Sequence, residues 1–186
     1  MKNFFMTCLK SLRQTGTVSP SSKYLIQKII KDIDFQEGQT IVEFGTGNGC
    51  ITEVLLSHMK PNSTLHSFEL NTNFWRFSQD KFKGVDNLKI HNLNAVSYDE
   101  IEALSQANSI DYFVSSLPLT LLNNKDIDIL MNKVKCSLKE DGKFIQYQYS
   151  LDKFAYLKRQ FDQVQRSYTL LNFPPAFVYC CMNFAV

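Results

Sequence analysis

Residues 41–49 read Ile-Val-Glu-Phe-Gly-Thr-Gly-Asn-Gly, an apolar run that passes directly into three glycines at alternate positions. A helical pattern follows from Cys50. Glycine lets the backbone turn sharply and come close to a ligand. A glycine loop between a strand and a helix is typical of α/β sheets, which bind ligands at the carboxyl ends of their strands.

The rest of the chain repeats this alternation of strand and helix. Strand-like runs occupy residues 40–45, 64–69, 87–91, 110–116 and 143–149, with helical patterns between them at 49–59, 71–82, 97–107 and 123–138. Such alternation predicts an α/β fold with a doubly wound, mostly parallel Rossmann-like sheet. A short helix at 151–160 and strands at 163–171 and 176–184 then predict an antiparallel hairpin turning at Pro174-Pro175.

Length and composition indicate one domain over residues 1–186, with a ligand-binding core at 40–149 and the helix and hairpin at 150–186. The five cysteines form no metal-binding spacing, so we expect no metal and a reducing, cytoplasmic compartment. Residues 167–186 carry no charge, but Pro174-Pro175 interrupts them and favours the hairpin over a membrane span.

The charge is unevenly distributed. Residues 1–31 hold six bases and no acid, whereas the remaining 155 residues hold fourteen bases and eighteen acids, a net of −4. The apolar positions of residues 3–14 share one helical face, and Ser19-Pro20 predicts the start of a second helix. We therefore expect a basic N-terminal arm with an amphipathic helix within residues 1–14, joined to an acidic domain.

Two acids sharpen the interpretation of the glycine loop, whose spacing departs from the dinucleotide pattern at Cys50. Glu43, two residues before Gly45, is a poor neighbour for a pyrophosphate and a good one for a cation, such as the ammonium and sulfonium of S-adenosylmethionine. Glu69 ends the second strand, where an acid can accept both hydroxyls of a ribose. The alternative for Glu69 is a cap on the following helix.

From Thr40 to at least Tyr149 the sequence resembles the class I S-adenosylmethionine-dependent methyltransferases. The resemblance implies a methyltransferase fold and S-adenosylmethionine as the cofactor. The residues that it implies for cofactor binding are Glu43, Gly45, Gly47, Gly49, Glu69, Asn94 and Ala95. Asn94 stands where the family more often has Asp, and its side chain can still hydrogen-bond adenine.

The fourth strand ends in Ser115-Ser116-Leu117-Pro118-Leu119. Methyltransferases that modify amino groups of nucleic acids carry here a polar residue, then Pro-Pro or Leu-Pro, then an aromatic residue. Leu119 takes the aromatic place, so a base would lose its stacking platform, worth about 1–3 kcal/mol.

Three stretches resemble the bacterial phospholipid N-methyltransferase family: residues 15–22, Ser115 to Leu119, and Asn172 to Tyr179. The resemblance implies an amine site lined by Ser116 and by the backbone of Leu117 and Pro118. Tyr149, at the end of the fifth strand, is expected to face the same rim and contact the head group. Ordinary strand packing is the alternative for Tyr149 and for Tyr147.

For the three histidines and for two aromatic residues after Glu69, the sequence supports only less specific predictions. His58, His66 and His91 share no motif spacing, so we expect them at the surface or at strand ends. Trp75 and Phe74 follow Glu69, where one of them covers the adenine or both pack in the core.

The N-terminal helix is suited to lying at a membrane surface. Its membrane-binding candidates are Lys2, Phe4, Phe5, Leu9, Lys10, Leu12 and Arg13. Bases attract anionic lipid, and the apolar face can enter the interface. The alternative is a lid over the cofactor cleft.

These expectations combine into an S-adenosylmethionine-dependent N-methyltransferase that acts on an aminolipid such as phosphatidylethanolamine. It would be a cytoplasmic enzyme, peripherally bound to the inner face of the membrane. The first alternative is an rRNA or other adenine N6-methyltransferase, opposed by Leu119, the acidic bulk and the expected lack of a C-terminal RNA-binding domain. The second is a non-catalytic, membrane-associated protein that binds the cofactor.

Overall fold

A seven-stranded sheet organises residues 21–183, the part of the chain that this computed structural model describes. The strands are β1 Thr40–Phe44, β2 Thr64–Phe68, β3 Leu88–His91, β4 Ile110–Ser115, β5 Leu138–Gln148, β6 Gln163–Thr169 and β7 Ala176–Met182. The α-helices are α1 Lys23–Ile30, α2 Cys50–His58, α3 Thr72–Lys81, α4 Asn124–Ser137 and α5 Phe154–Gln160.

The strand order is β3-β2-β1-β4-β5-β7-β6. The first five strands of this order are parallel, and β7 lies antiparallel between β5 and β6. The predicted fold class is therefore confirmed, including the hairpin. Insertion of β7 beside β5 makes β6 run in the same direction as β5, so the turn from β6 to β7 lies at the carboxyl edge of the parallel strands.

Apolar residues cover both faces of the sheet. In β1 they alternate, with Ile41 facing the cluster that contains Leu25 of α1 and Leu55 of α2. Val42 and Phe44 face the opposite cluster, which includes Leu130 of α4 and Leu157 of α5. Burial on both faces explains why the central strands are nearly continuous apolar runs.

One predicted element is wrong. The α-helix expected at 97–107 is replaced by two 3₁₀ helices, Ala95–Glu100 and Glu102–Leu104. Apolar residues recur there every third position (95, 98, 101 and 104), which matches the three-residue turn of a 3₁₀ helix. The Tyr98 hydroxyl, 2.8 Å from Ser137 Oγ, ties this segment to the end of α4.

Several element boundaries also differ. The first described helix begins at Lys23 with Ser22 Oγ accepting from the Leu25 N–H at 3.2 Å, while Ser19-Pro20 and the amphipathic helix of residues 1–14 lie outside the described residues. β5 begins at Leu138 rather than 143, because Leu138 already pairs with Ile110 across a register shift. α5 begins at Phe154. No helix within residues 21–183 is long and apolar enough to cross a membrane.

Candidate active site

The glycine loop lies at the carboxyl end of β1, and two of its glycines are required by close neighbours. Gly45 has φ +88°, and a Cβ there would lie 2.3 Å from Ser116 Oγ. Gly49 has φ +77°, caps α2, and would place a Cβ 2.6 Å from the Phe82 ring. The loop therefore leaves no room for side chains at these positions, and its backbone faces the edge of the sheet.

Glu69 holds the middle of this loop. Its Oε2 accepts from the Gly47 N–H at 2.9 Å, and its Oε1 accepts from the Asn71 N–H at 2.8 Å. The carboxylate thus contacts the start of α3, as the capping alternative expects, and ribose binding by Glu69 stays a prediction. Each carboxylate oxygen has a second lone pair, so the half-buried group can still accept hydroxyl donors.

Glu43 lies beneath the loop and is 1% exposed. Its Oε2 accepts from Ser67 Oγ at 2.6 Å and from Thr52 Oγ1 at 2.7 Å. Ser67 Oγ also lies 2.5 Å from Thr46 Oγ1, so a chain of hydroxyls joins the carboxyl to the loop. Burial raises the pKa of Glu43 to about 7. Its Oε1 is buried without a hydrogen-bond partner among the described residues, which fits a neighbouring ligand of positive charge.

The predicted adenine-binding residues follow β3. Asn94 is exposed, and its Oδ1 accepts from the Val96 N–H at 3.0 Å, while Ala95 is buried at the start of the first 3₁₀ helix. Asn92 had no role in the sequence analysis. Its Nδ2 donates to the Glu69 carbonyl at 2.8 Å and so joins the loops that follow β2 and β3.

Ser116 contacts the glycine loop directly. Its hydroxyl lies 2.9 Å from the Gly45 carbonyl oxygen and 3.1 Å from the Phe44 carbonyl oxygen, so its hydrogen is directed toward β1. The oxygen lone pairs of Ser116 remain available as acceptors. Leu119, by contrast, is fully buried in the core.

The Leu117 carbonyl is already hydrogen-bonded. It accepts from Gln146 Nε2 at 3.0 Å and from Gln148 Nε2 at 2.7 Å. The Pro118 carbonyl accepts from the Leu121 N–H at 2.8 Å. Sequence reasoning missed both glutamines. Their signal is the alternation of Gln146 and Gln148 with the apolar or aromatic Ile145, Tyr147 and Tyr149, which puts two amides on one face.

Tyr149 lies on the other face of the sheet. It packs edge-to-face on Tyr147 with ring centroids 5.7 Å apart, and both rings pack against the cluster that contains α1. Gln148 projects from the opposite face, toward Leu117. This arrangement supports the packing alternative, and a head-group contact of Tyr149 stays a prediction.

The structure brings together two histidines, one from β2 and one from the end of β3. His66 Nδ1 lies 3.2 Å from His91 Nε2, and their rings are stacked. Burial, aided by the neighbouring His91, lowers the pKa of His66 to about 4. The expectation of a surface or strand-end position is wrong for His66, which is 2% exposed, because it lies in the middle of β2 and stacks on His91. The contact is diagonal, since the register pairs His66 with Lys89 and His91 with Phe68.

The indole of Trp75 packs α3 onto the sheet. Its Nε1 donates to the Ile90 carbonyl at 3.3 Å, so it holds the helix against β3. Among residues 21–183 no cluster of three or more His, Cys, Asp or Glu side chains could hold a metal ion.

Comparison with known proteins gives a family match and two similar methyltransferases. Residues 20–127 match the protein family described as ribosomal RNA adenine dimethylase. An ornithine lipid N-methyltransferase of Singulisphaera acidiphila is 26% identical over 97% of this chain and 96% of its own length. A ribosomal RNA small subunit methyltransferase A of Borreliella burgdorferi is 29% identical over 62% of this chain and 42% of its own length. The chain thus aligns with less than half of that second relative.

Solved structures share the fold. A precorrin-6y C5,15-methyltransferase of Geobacter metallireducens superposes with a TM-score of 0.68 at 12% identity, over 89% of this chain and 93% of that one. An S-adenosylmethionine-dependent O-methyltransferase of Thermotoga maritima gives 0.66 at 12% identity, over 94% of this chain and 71% of that one.

Proposed function

This chain belongs to the ribosomal RNA adenine dimethylase family and is an S-adenosylmethionine-dependent methyltransferase, and within that class we propose that its acceptor is the amine of an aminolipid head group, such as phosphatidylethanolamine or an ornithine lipid. The cofactor is S-adenosylmethionine, as the sequence predicts. When bound, it supplies an electrophilic methyl group. The protein then has to orient the cofactor and an uncharged amine and to exclude water from them.

The residues around the glycine loop fit this cofactor. In this proposal Glu69, which already accepts from the Gly47 N–H, accepts ribose hydroxyls with its remaining lone pairs, and Asn94 at the same edge hydrogen-bonds the adenine. Burial raises the pKa of the Glu43 carboxyl to about 7, and a cationic ligand above it would favour the charged form of this carboxyl. The loop backbone can approach the cofactor at Gly47, where no heavy atom lies within 4 Å of an added Cβ.

The observation that carries the lipid proposal is the burial of Leu119. A flipped base needs a ring to stack on, worth about 1–3 kcal/mol, and the position that supplies this ring in nucleic-acid enzymes is here an aliphatic residue inside the core. An aliphatic amine has no such requirement. The proposal is further supported by the ornithine lipid relative, which aligns along nearly the whole of both chains.

The amine itself would meet neutral acceptors. Ser116 Oγ has free lone pairs beside the glycine loop, and the Leu117 carbonyl lies next along the chain. Neither carries a negative charge, so they stabilise the protonated ammonium, which cannot attack a methyl group, less than a carboxylate would. Gln146 and Gln148 fix the Leu117 carbonyl, and an incoming amine N–H would have to share that oxygen with them.

We further propose that the enzyme works at the inner face of the cytoplasmic membrane, bound through its basic arm. The Ser22 N–H donates to Asn172 Oδ1 at 2.9 Å, and Asn172 lies in the β6–β7 turn. Ser22, where the arm joins the domain, therefore lies at the same edge of the sheet as the glycine loop. An arm bound to lipid would hold that edge close to the membrane. Removal of residues 1–14 should lower cosedimentation with anionic vesicles, and undiminished binding would contradict this role.

Incubation of the purified protein with methyl-labelled cofactor tests the acceptor. Separate reactions contain vesicles with phosphatidylethanolamine, vesicles with ornithine lipid, and small-subunit rRNA. Gly45→Val serves as the inactive control, and Gly84→Ala as a glycine variant outside the loop. We expect label in lipid that depends on an intact loop. Label in rRNA alone would support the adenine alternative, and label in none would support a non-catalytic protein.

A further inference from the structure

The turn between β6 and β7 exposes large apolar side chains. Leu170 is 71% exposed, Leu171 62% and Phe173 88%, and Tyr168 at the end of β6 is 62% exposed. We refer to Leu170, Leu171 and Phe173 as the apolar tip. Contiguous exposed apolar side chains, here one ring and two leucines within four residues, mark surfaces that interact with proteins or membranes.

Polar contacts hold the apolar tip in a defined shape. Asn172, between the exposed residues, is only 6% exposed, and its Oδ1 accepts from Ser22 while its Nδ2 donates to the Pro174 carbonyl at 2.7 Å. The Leu171 N–H donates to Thr169 Oγ1 at 3.2 Å. The turn thus buries the side-chain amide of Asn172 and directs its apolar side chains outward.

The apolar tip lies at the edge of the sheet that carries the candidate active site. β6 and β5 both run antiparallel to β7 and so point the same way. The end of β6 therefore shares an edge with the ends of β1 and β4, where the glycine loop and Ser116 lie. A surface that contacts the apolar tip would also face the entrance of the site.

The charges of the sequence that adjoins the tip and the Ser22 contact indicate its occupant. Residues 167–186 have no charge, and residues 1–31, which meet the turn at Ser22, contain six bases and no acid. Lys23, next to that contact, has its Nζ 5.2 Å from the ring of Tyr24, which is 41% exposed. Apolar side chains beside basic and aromatic ones match the interface of an anionic phospholipid leaflet.

We propose that the apolar tip inserts into an anionic phospholipid leaflet and holds the carboxyl edge of the sheet against the membrane. This makes the hairpin a second membrane contact, separate from the N-terminal arm. The choice of a lipid leaflet as the occupant rests on the proposed aminolipid substrate. A second copy of the chain is the competing occupant.

The test compares the full-length protein with the double variant Leu171→Ser/Phe173→Ser. Cosedimentation is measured with vesicles of phosphatidylethanolamine and phosphatidylglycerol, and with phosphatidylcholine vesicles as the uncharged reference. We expect the double variant to bind the anionic vesicles about tenfold more weakly, since two exposed apolar side chains are lost. Phe77→Ser is the matched control, because Phe77 is 51% exposed on α3 and lies away from the hairpin. It should bind like the wild type.

A fluorescent variant reports insertion directly. The chain has one tryptophan, Trp75, so Phe173→Trp adds a second emitter at the tip. Its added emission should shift to the blue on anionic vesicles and be quenched by lipids brominated in the acyl chain, while Trp75 alone should not respond. Unchanged vesicle binding by the double variant, or no quenching of Trp at position 173, would overturn the proposal.

Two further readouts separate the possible failures. Loss of self-association in the double variant, without loss of vesicle binding, would identify a second copy as the occupant and overturn the lipid proposal. Methyl transfer to aminolipid dispersed in detergent micelles tests the proposed function without a bilayer. Tip-dependent vesicle binding without any lipid methylation would contradict the proposed function and leave the tip assignment supported.

Discussion

The carbonyl oxygen of Leu117 accepts a 2.7 Å hydrogen bond from Nε2 of Gln148. The contact joins the segment after β4 to the end of β5 at the position where an acceptor amine is proposed to bind. It makes Gln148, which is 5% exposed, a positioning residue for that carbonyl. The neutral amide also keeps a negative charge away from the amine.

Gln148→Glu should lower the rate of methyl transfer near neutral pH and shift the pH optimum upward. A carboxylate beside the amine would favour its ammonium form and raise the pKa of that amine by about one unit or more. It would also lose the donor to Leu117. The pH profile of kcat/KM for lipid methylation measures the shift. Gln165→Glu, at an exposed position of β6, is the matched control and should leave the profile unchanged.

Gly45→Ala should abolish cofactor binding, whereas Gly84→Ala should not. Both glycines have similar φ angles, +88° and +85°, so each substitution costs roughly 1–2 kcal/mol of backbone strain. Only at Gly45 would the Cβ meet a side-chain atom, Ser116 Oγ, at 2.3 Å. Calorimetric titration with the demethylated cofactor product measures the difference. Equal affinities in the two variants would show that the Gly45–Ser116 contact has no role in binding.

Glu43→Gln should change how stability depends on pH. The unfolded carboxyl titrates near its ordinary pKa of 4.5 and the folded one near 7, so between these values the folded state binds more protons. The free energy of unfolding of the wild type therefore falls as pH rises from about 4.5 to 7, by roughly 3 kcal/mol from this group. Glu43→Gln removes that fall.

Urea unfolding at pH 5 and pH 7.5 measures this effect as the difference between the wild type and Glu43→Gln. Taking the difference cancels titrations common to both proteins. Glu140→Gln, at an exposed position of β5, is the control and should follow the wild type. A wild type and a Glu43→Gln variant with parallel pH profiles would contradict the raised pKa of Glu43.

His66 should affect the pH dependence of stability in the opposite direction to Glu43, and His66→Phe should remove that effect. Because burial lowers the pKa of His66 to about 4, the unfolded state binds more protons between that value and the ordinary 6.5. The wild type therefore loses stability as pH falls through this window. The phenyl ring keeps the stack on His91 and has no proton to bind, so the variant should lose less stability on acidification.

Thermal unfolding between pH 4.5 and 7 checks the His66 prediction. His58→Phe, at an exposed position at the end of α2, is the matched control and should keep the acid sensitivity of the wild type. If His66→Phe lost as much stability at low pH as the wild type does, the buried histidine pair would not be the source of that acid sensitivity.

Local sequence determined much of this protein. The alternation of strands with helices predicts the sheet, because burial on both faces demands continuous apolar runs of strand length. The glycine spacing and Glu69 predict the cofactor edge, because backbone approach and a carboxylate after β2 are local requirements. The α-helix predicted at 97–107 is wrong although the sequence carries the three-residue spacing of a 3₁₀ helix at 95–104, and the contact of Tyr98 with Ser137 lies outside what local sequence shows.

Only the tertiary structure decided which distant residues meet. The pairing of β2 with β3 stacks His66 on His91, and the pairing of β4 with β5 aligns Gln148 with the Leu117 carbonyl. Likewise, the insertion of β7 between β5 and β6 turns the apolar tip toward the edge of the site. These contacts depend on which strands are neighbours, and sequence spacing does not give that order, because strands pair through backbone groups that every residue shares.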